Sequence, residues 1–132
     1  MALTHRDKLF DAYNAELARL NAIDFGDIIL KVLELFDKNP DILSRYQNQF
    51  RYILVDEFQD TNPYQYEMLK QLSGETKELF VVGDDDQAIY SFRGSFPGIM
   101  RQFEKDYECC CSYYLSTNYR SMKQIIKDAG RL

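Results

Sequence analysis

The sequence predicts an α/β fold: a parallel sheet of about three strands flanked by helices, preceded by helices at the N-terminus. Three observations carry this. Short, continuous apolar runs end abruptly in acid or glycine, as buried parallel strands do. Their ends fall near residues 55, 82 and 115, separations close to the length of a βαβ unit. The stretches around them repeat apolar residues every three or four positions, the period of a helix.

The elements follow in order. From Thr4 to about Asn21 the residues Leu9, Phe10, Tyr13, Leu17 and Leu20 recur at helical steps, and Thr4 can cap the start. Asp24 can cap a second helix carrying Ile28, Ile29, Val32, Leu33, Leu35 and Phe36, which Asn39-Pro40 ends. A third helix runs from about Asp41 to Gln49. Tyr52–Val55 is the first strand, closed by Asp56. Pro63 opens a helix through about Leu72, with Tyr66 and Leu69 on its apolar side, and Ser73-Gly74 stops it. Leu79–Val82 is the second strand. A helix from about Pro97 to Lys105, a third strand at Ser112–Leu115 and a last helix from about Met122 to Arg131 complete the chain.

Composition narrows the function classes. Apolar residues make up 45% of the 132, enough for a core, and the 28% charged share excludes wholesale disorder. No apolar run approaches the ~18 residues of a membrane span. The start, MALTHRDKLFDAYN, lacks the apolar region of a signal peptide. Cys109, Cys110 and Cys111 are neighbours and cannot staple a fold. We therefore expect reduced thiols in a cytoplasmic protein with no membrane partner. A Cys/His metal site is not expected, because His5 is the only histidine.

The net charge of −5 is unevenly spread. Six acids sit in two stretches, Asp56, Glu57 and Asp60, then Asp84, Asp85 and Asp86; the other fifteen face sixteen bases. That balance argues against a general polyanion-binding surface and points to a local cation site. The plain alternative is that these acids only solvate loops. Their position favours the first reading, since ligands of parallel sheets bind beyond the carboxyl ends of the strands.

Carboxylates at a strand end can hold Mg²⁺ through its waters, while a neighbour accepts a proton. Asp56-Glu57 suits that division, and an acid directly after an apolar strand is the Walker B arrangement of nucleotide hydrolases. A phosphoacceptor receiver domain also gathers carboxylates, but its third-strand Asp and late Lys find no obvious places here. The first stretch runs Val55-Asp-Glu-Phe-Gln-Asp-Thr-Asn62, where Gln59 and Asp60 add an amide and a carboxylate. The second runs Val82-Gly-Asp-Asp-Asp-Gln-Ala-Ile-Tyr-Ser-Phe-Arg-Gly94. In it Gln87 can donate to a phosphate oxygen, and Tyr90, Phe92 and Arg93 can stack on bases and meet phosphate; in isolation such aromatics would read as core. The third, Leu115-Ser-Thr-Asn-Tyr-Arg-Ser121, places Tyr119 and Arg120 past a strand. Arg120 can clamp a phosphate, or form a surface salt bridge.

In this order and spacing the three stretches resemble motifs II, III and IV of the superfamily 1 DNA helicases of the UvrD/PcrA/Rep type. Asp24-Phe25 with Ile28-Ile29 is similar to the family's segment before motif II. The resemblance spans roughly Leu9 to Ile126. It implies a partial RecA-like P-loop fold, with ATP and Mg²⁺ as cofactors and single-stranded and duplex DNA as partner. By this resemblance Asp56 would coordinate Mg²⁺, Glu57 would activate the attacking water, and Gln87 would sense the γ-phosphate. Gln59 and Asp60 would belong to the nucleotide site, Tyr119 would stack on adenine and Arg120 would contact the γ-phosphate. Tyr90 and Phe92 would stack on DNA bases, with Arg93 in the same element. Where Phe92 stands the family usually has Trp, which implies weaker stacking. Ser91 and Ser95 replace residues that are more often Gly and Ala.

No G-x-x-x-x-G-K-[ST] occurs, and no Gly-Lys pair. Nothing in these residues cradles the β- and γ-phosphates. The expectation is an internal helicase piece. Residues 1–23 would end an inserted helical subdomain, 24–110 would form the latter half of the first RecA-like domain, and 111–132 would start the second. Its partners would be the remaining helicase domains, with self-association of the piece through unpaired edges. The chain alone is expected to be inactive. Two alternatives stay open: a free-standing binding module without catalysis, and part of a RecB/AddA-like helicase–nuclease.

Overall fold

The computed structural model of the chain describes residues 5–74, 78–88 and 98–131. In chain order it holds α1 (His5–Arg19), α2 (Asp27–Lys38), α3 (Pro40–Gln49), β1 (Ile53–Val55), α4 (Pro63–Ser73), β2 (Leu79–Val81), α5 (Ile99–Asp106) and α6 (Lys123–Ala129). The helices stand close to where their apolar spacing put them. No helix among the described residues is long and apolar enough to cross a membrane.

The two strands pair in parallel, Ile53 with Leu79, Leu54 with Phe80 and Val55 with Val81. This is the pairing expected of apolar runs joined by a helical crossover. The third expected strand is a correction. Residues 112–115 carry no regular structure, and the sheet described has two strands. Tyr113, Tyr114 and Leu115 are almost fully exposed. An apolar run becomes a strand only where a neighbour's backbone completes its ladder, and residues 112–115 pair with neither β1 nor β2.

Asp24 serves the start of α2 from three residues outside it. Its Oδ1 accepts the Asp27 N–H at 2.9 Å and its Oδ2 accepts the Tyr13 hydroxyl at 3.0 Å. These bonds, the backbone one foremost, hold the Asp24 carboxyl below its ordinary range, and Asp24 in turn raises the Tyr13 phenol. One carboxylate thus ties α1 to α2. Further on, α2, α3 and α4 pack together. Phe36 is buried and meets Tyr46 at a ring distance of 5.9 Å. Gln47 Nε2 donates to the Gln71 carbonyl at 2.7 Å, and Gln71 Nε2 donates to Asp37 Oδ1 at 3.2 Å.

α4 starts sharply, which fixes where the first acidic stretch ends. Asn62 Oδ1 accepts the Gln65 N–H and Gln65 Oε1 accepts the Asn62 N–H, both at 2.9 Å, with Pro63 in the first turn. This reciprocal cap satisfies two donors that a helix start would otherwise strand. The core beneath the sheet is Phe58, Tyr66, Ile99 and Phe103, with Val55, Leu69, Leu79 and Val81 against it. Cys110 also packs there, while Cys109 and Cys111 are exposed.

Candidate functional site

The two acidic stretches leave the same end of the parallel pair. Backbone bonds continue past the strands and hold the loops together: Val82 N–H donates to the Val55 carbonyl at 2.8 Å, and Phe58 N–H donates to the Val82 carbonyl at 2.9 Å. Phe58 is fully buried and packs edge-on to Tyr66 and Phe103, at 5.8 and 5.5 Å. This aromatic anchors the first loop to the core.

Asp56 and Glu57 are exposed. Asp56 Oδ1 accepts the Glu57 N–H at 2.9 Å. Glu57 adopts φ 51° and ψ 40°, the left-handed region, which costs a non-glycine residue about 1–3 kcal/mol. The strain turns the chain sharply into a one-turn 3₁₀ helix at Phe58–Asp60. Gln59 follows, only 2% exposed. Its Nε2 donates to Glu57 Oε2 at 2.7 Å, and its Oε1 accepts the Asp84 N–H at 3.0 Å. Both ends of the amide are therefore engaged. Asp60 is half-buried, and its Oδ1 lies out of solvent with no hydrogen-bond partner among the described residues.

The second loop is organised by Asp84. Its Oδ1 accepts the Asp86 N–H at 3.0 Å and its Oδ2 accepts Gln87 Nε2 at 2.7 Å. A second one-turn 3₁₀ helix spans Asp85–Gln87. Gly83 precedes it, where the Gln59 side chain passes close by.

Of the residues singled out in the sequence, the structure thus gathers Asp56, Glu57, Gln59, Asp60 and Gln87 on two adjoining loops. It does not bring Tyr119 and Arg120 into bonding contact with them. Tyr119 is 93% exposed. Asn118 Oδ1 accepts the N–H groups of Arg120 and Ser121, both at 2.9 Å, in a local turn. Tyr90, Phe92 and Arg93 lie outside the described residues. Two site features escaped the sequence reading. Phe58 was a lone aromatic among acids, without a period to mark it as core. The Gln59–Asp84 link joins residues 25 apart, and the only local signal for it was a glycine at the end of the second apolar run.

The donor set fits a magnesium ion held mostly through water. Among the described residues no group of three or more His, Cys, Asp or Glu side chains is placed to cage a metal. Mg²⁺ needs no such cage, since one or two carboxylates, several waters and substrate phosphates suffice. Asp56, exposed at the strand end, could serve as such a carboxylate. The phosphates of a nucleotide are a different case, because the glycine-rich loop that would cradle them is not in this sequence.

Comparison with known proteins places these loops in a family context. Residues 3–108 match the UvrD/REP helicase N-terminal domain. The chain is 45% identical over 123 residues to the ATP-dependent DNA helicase PcrA of Leuconostoc citreum, covering 93% of this chain and 16% of that protein. It is 44% identical over 124 residues to the PcrA helicase of Staphylococcus aureus strain Mu50, covering 94% of this chain and 17% of the relative. The YjcD protein of Bacillus subtilis strain 168 is 43% identical over 122 residues. The chain spans about a sixth of the length of these relatives.

Proposed function

Because the chain belongs to the UvrD/REP helicase N-terminal domain family, we propose that it is a segment of an ATP-dependent DNA helicase and supplies the acidic half of its nucleotide site. The observation that supports this most is the joining of the two acidic loops at the carboxyl ends of β1 and β2 through Gln59. In this reading residues 24–110 belong to the first RecA-like domain and residues 111–132 open the second. The whole protein would couple ATP hydrolysis to movement along single-stranded DNA and to duplex unwinding.

The roles divide by geometry. Asp56 holds the magnesium ion, which when bound offsets the charge of the phosphate oxygens. Glu57, exposed and turned out of the strand by its left-handed backbone, accepts a proton from the attacking water. Gln87 meets the γ-phosphate from the second loop. Tyr119 and Arg120, on an exposed turn, reach the nucleotide only when the rest of the helicase orders them. Tyr90, Phe92 and Arg93 serve the DNA side. The chain by itself lacks the phosphate loop and is expected to hydrolyse no ATP.

Glu57→Gln in the full-length protein tests this reading. The amide keeps the shape but cannot take the proton. DNA-stimulated ATP turnover should fall by roughly 10²–10⁴-fold, while binding of a magnesium–nucleotide analogue persists. Loss of binding together with turnover would make Glu57 a structural residue and overturn its assignment.

A further inference from the structure

We infer that Gln59 is a positioning residue that couples the carboxylate of Glu57 to the loop carrying Gln87. The inference rests on the reading of Glu57 as the proton acceptor. Four residues form a continuous path, which crosses Asp84 from its backbone N–H to its side chain. Glu57 Oε2 accepts from Gln59 Nε2 at 2.7 Å, Gln59 Oε1 accepts from the Asp84 N–H at 3.0 Å, and Asp84 Oδ2 accepts from Gln87 Nε2 at 2.7 Å. The path therefore runs from the first acidic loop to the last residue of the turn Asp85–Gln87.

The chemistry at Gln59 admits few substitutes. Its site needs a donor facing a carboxylate and an acceptor facing a backbone N–H. A glutamine amide offers both on one planar group. The partners also fix its orientation, since the reverse would set oxygen against the Glu57 carboxylate and N–H against N–H. At 2% exposure the amide is shielded from water, where hydrogen bonds are stronger and an unmade one is costlier. The loops also approach closely enough that a Cβ on Gly83 would lie 2.8 Å from Gln59 Oε1.

This arrangement gives Gln59 a different task from a nucleotide ligand. Both polar ends are spent inside the protein, so it reaches phosphate only by breaking the path. In place, it holds one oxygen of Glu57 and leaves the other to a water. A shift of the Gln87 loop is then felt at Glu57 through two bonds and one side chain.

Two variants test this. Gln59→Met keeps the length and Gln59→Leu is one atom shorter, and each removes both bonds. The first readout is hydrogen exchange at the Asp84 amide, followed by NMR on this chain. Both variants should speed it at least tenfold, with other strand amides unchanged. The second is steady-state ATP hydrolysis by the full-length protein, where kcat should fall roughly 10–100-fold, as for other supporting contacts, with KM for ATP within threefold. An unchanged Asp84 exchange rate in both variants would overturn the bridge. A raised KM with unchanged kcat would make Gln59 a nucleotide ligand instead. If either variant loses its cooperative melt, the other decides. Should Glu57→Gln leave turnover intact, the reading of the site fails, and Asp84 exchange still reports whether Gln59 joins the loops.

Discussion

A Cβ built on Gly83 would lie 2.8 Å from Gln59 Oε1, 3.2 Å from Gln59 N and 3.3 Å from Met100 Sδ. One of those neighbours is backbone, so the contact cannot be relieved by a rotamer change alone. Gly98 presents the opposite case: its φ is +90°, and a Cβ there would meet nothing within 4 Å. Gly83→Ala should therefore destabilise the chain by about 1–3 kcal/mol through overpacking, and should loosen the Asp84 N–H bond. Gly98→Ala should cost about 1 kcal/mol through backbone strain, leaving Asp84 as it was. Urea unfolding gives the energies and amide exchange gives the bond. Equal losses with equal exchange rates would mean that close approach at Gly83 is not what matters. At this scale the sequence was legible where chemistry was local. Asp56 and Glu57 could be picked out because acid follows an apolar run. Gln59 could be singled out but not understood, since its second partner, Asp84, lies on a loop 25 residues away. Phe58 gave no sign of being the most buried side chain of the core.

The helix α4 is joined to α5 by a hydroxyl and a carboxylate. Tyr66 OH donates to Asp106 Oδ2 at 2.8 Å, and Gln102 Nε2 donates to Asp106 Oδ1 at 2.7 Å. Burial of Tyr66, then its bond to Asp106, push the phenol well above its ordinary value of 10.0. A raised tyrosine means that the folded state keeps a proton which the unfolded state gives up. Its contribution is fully present below the unfolded value and is lost as pH rises above it. Stability should thus be level through neutral pH and decline from about pH 10 upward. Tyr66→Phe removes the titrating group. It should cost about 0.5–1.5 kcal/mol near pH 7 and make the alkaline decline shallower, as followed by thermal melts across the pH range. A variant with the same alkaline slope as the parent would show that Tyr66 is not its source; Tyr13, raised by Asp24 in the same direction, would be the next to test. Elements were the most legible scale. Pro63 marks the helix start because its fixed backbone suits a first turn, and the Asn62–Gln65 cap seen in the structure is likewise made by residues only three apart. Residues 112–115 show the limit. An apolar run reports a wish to be buried, and only a neighbouring edge decides whether it becomes a strand.

Over the whole molecule, the parallel pair has one face on the core and the other bare. Val55, Val81 and Leu79 pack on the Phe58 cluster, whereas the register partners Leu54 and Phe80 are 74% and 59% exposed. Parallel sheets ordinarily have both faces covered, and the strands here also carry unpaired outer edges among the described residues. Isolated in solution, the chain should hide the face against another copy. Sedimentation equilibrium should give a weight-average mass above 15.6 kDa that rises with concentration. Leu54→Lys with Phe80→Glu places opposite charges at directly paired positions, where they attract rather than repel. The double variant should return to the monomer mass with an unchanged far-UV spectrum. Leu115→Lys is the control, since that residue is 95% exposed but is not one of the paired strand residues, and it should leave the association intact. If Leu115→Lys alone dissolves the oligomer, the exposed segment after α5 is the sticky surface. A parent chain that stays monomeric at every concentration would mean that two short strands tolerate a bare face, and that association is not needed to stabilise this segment.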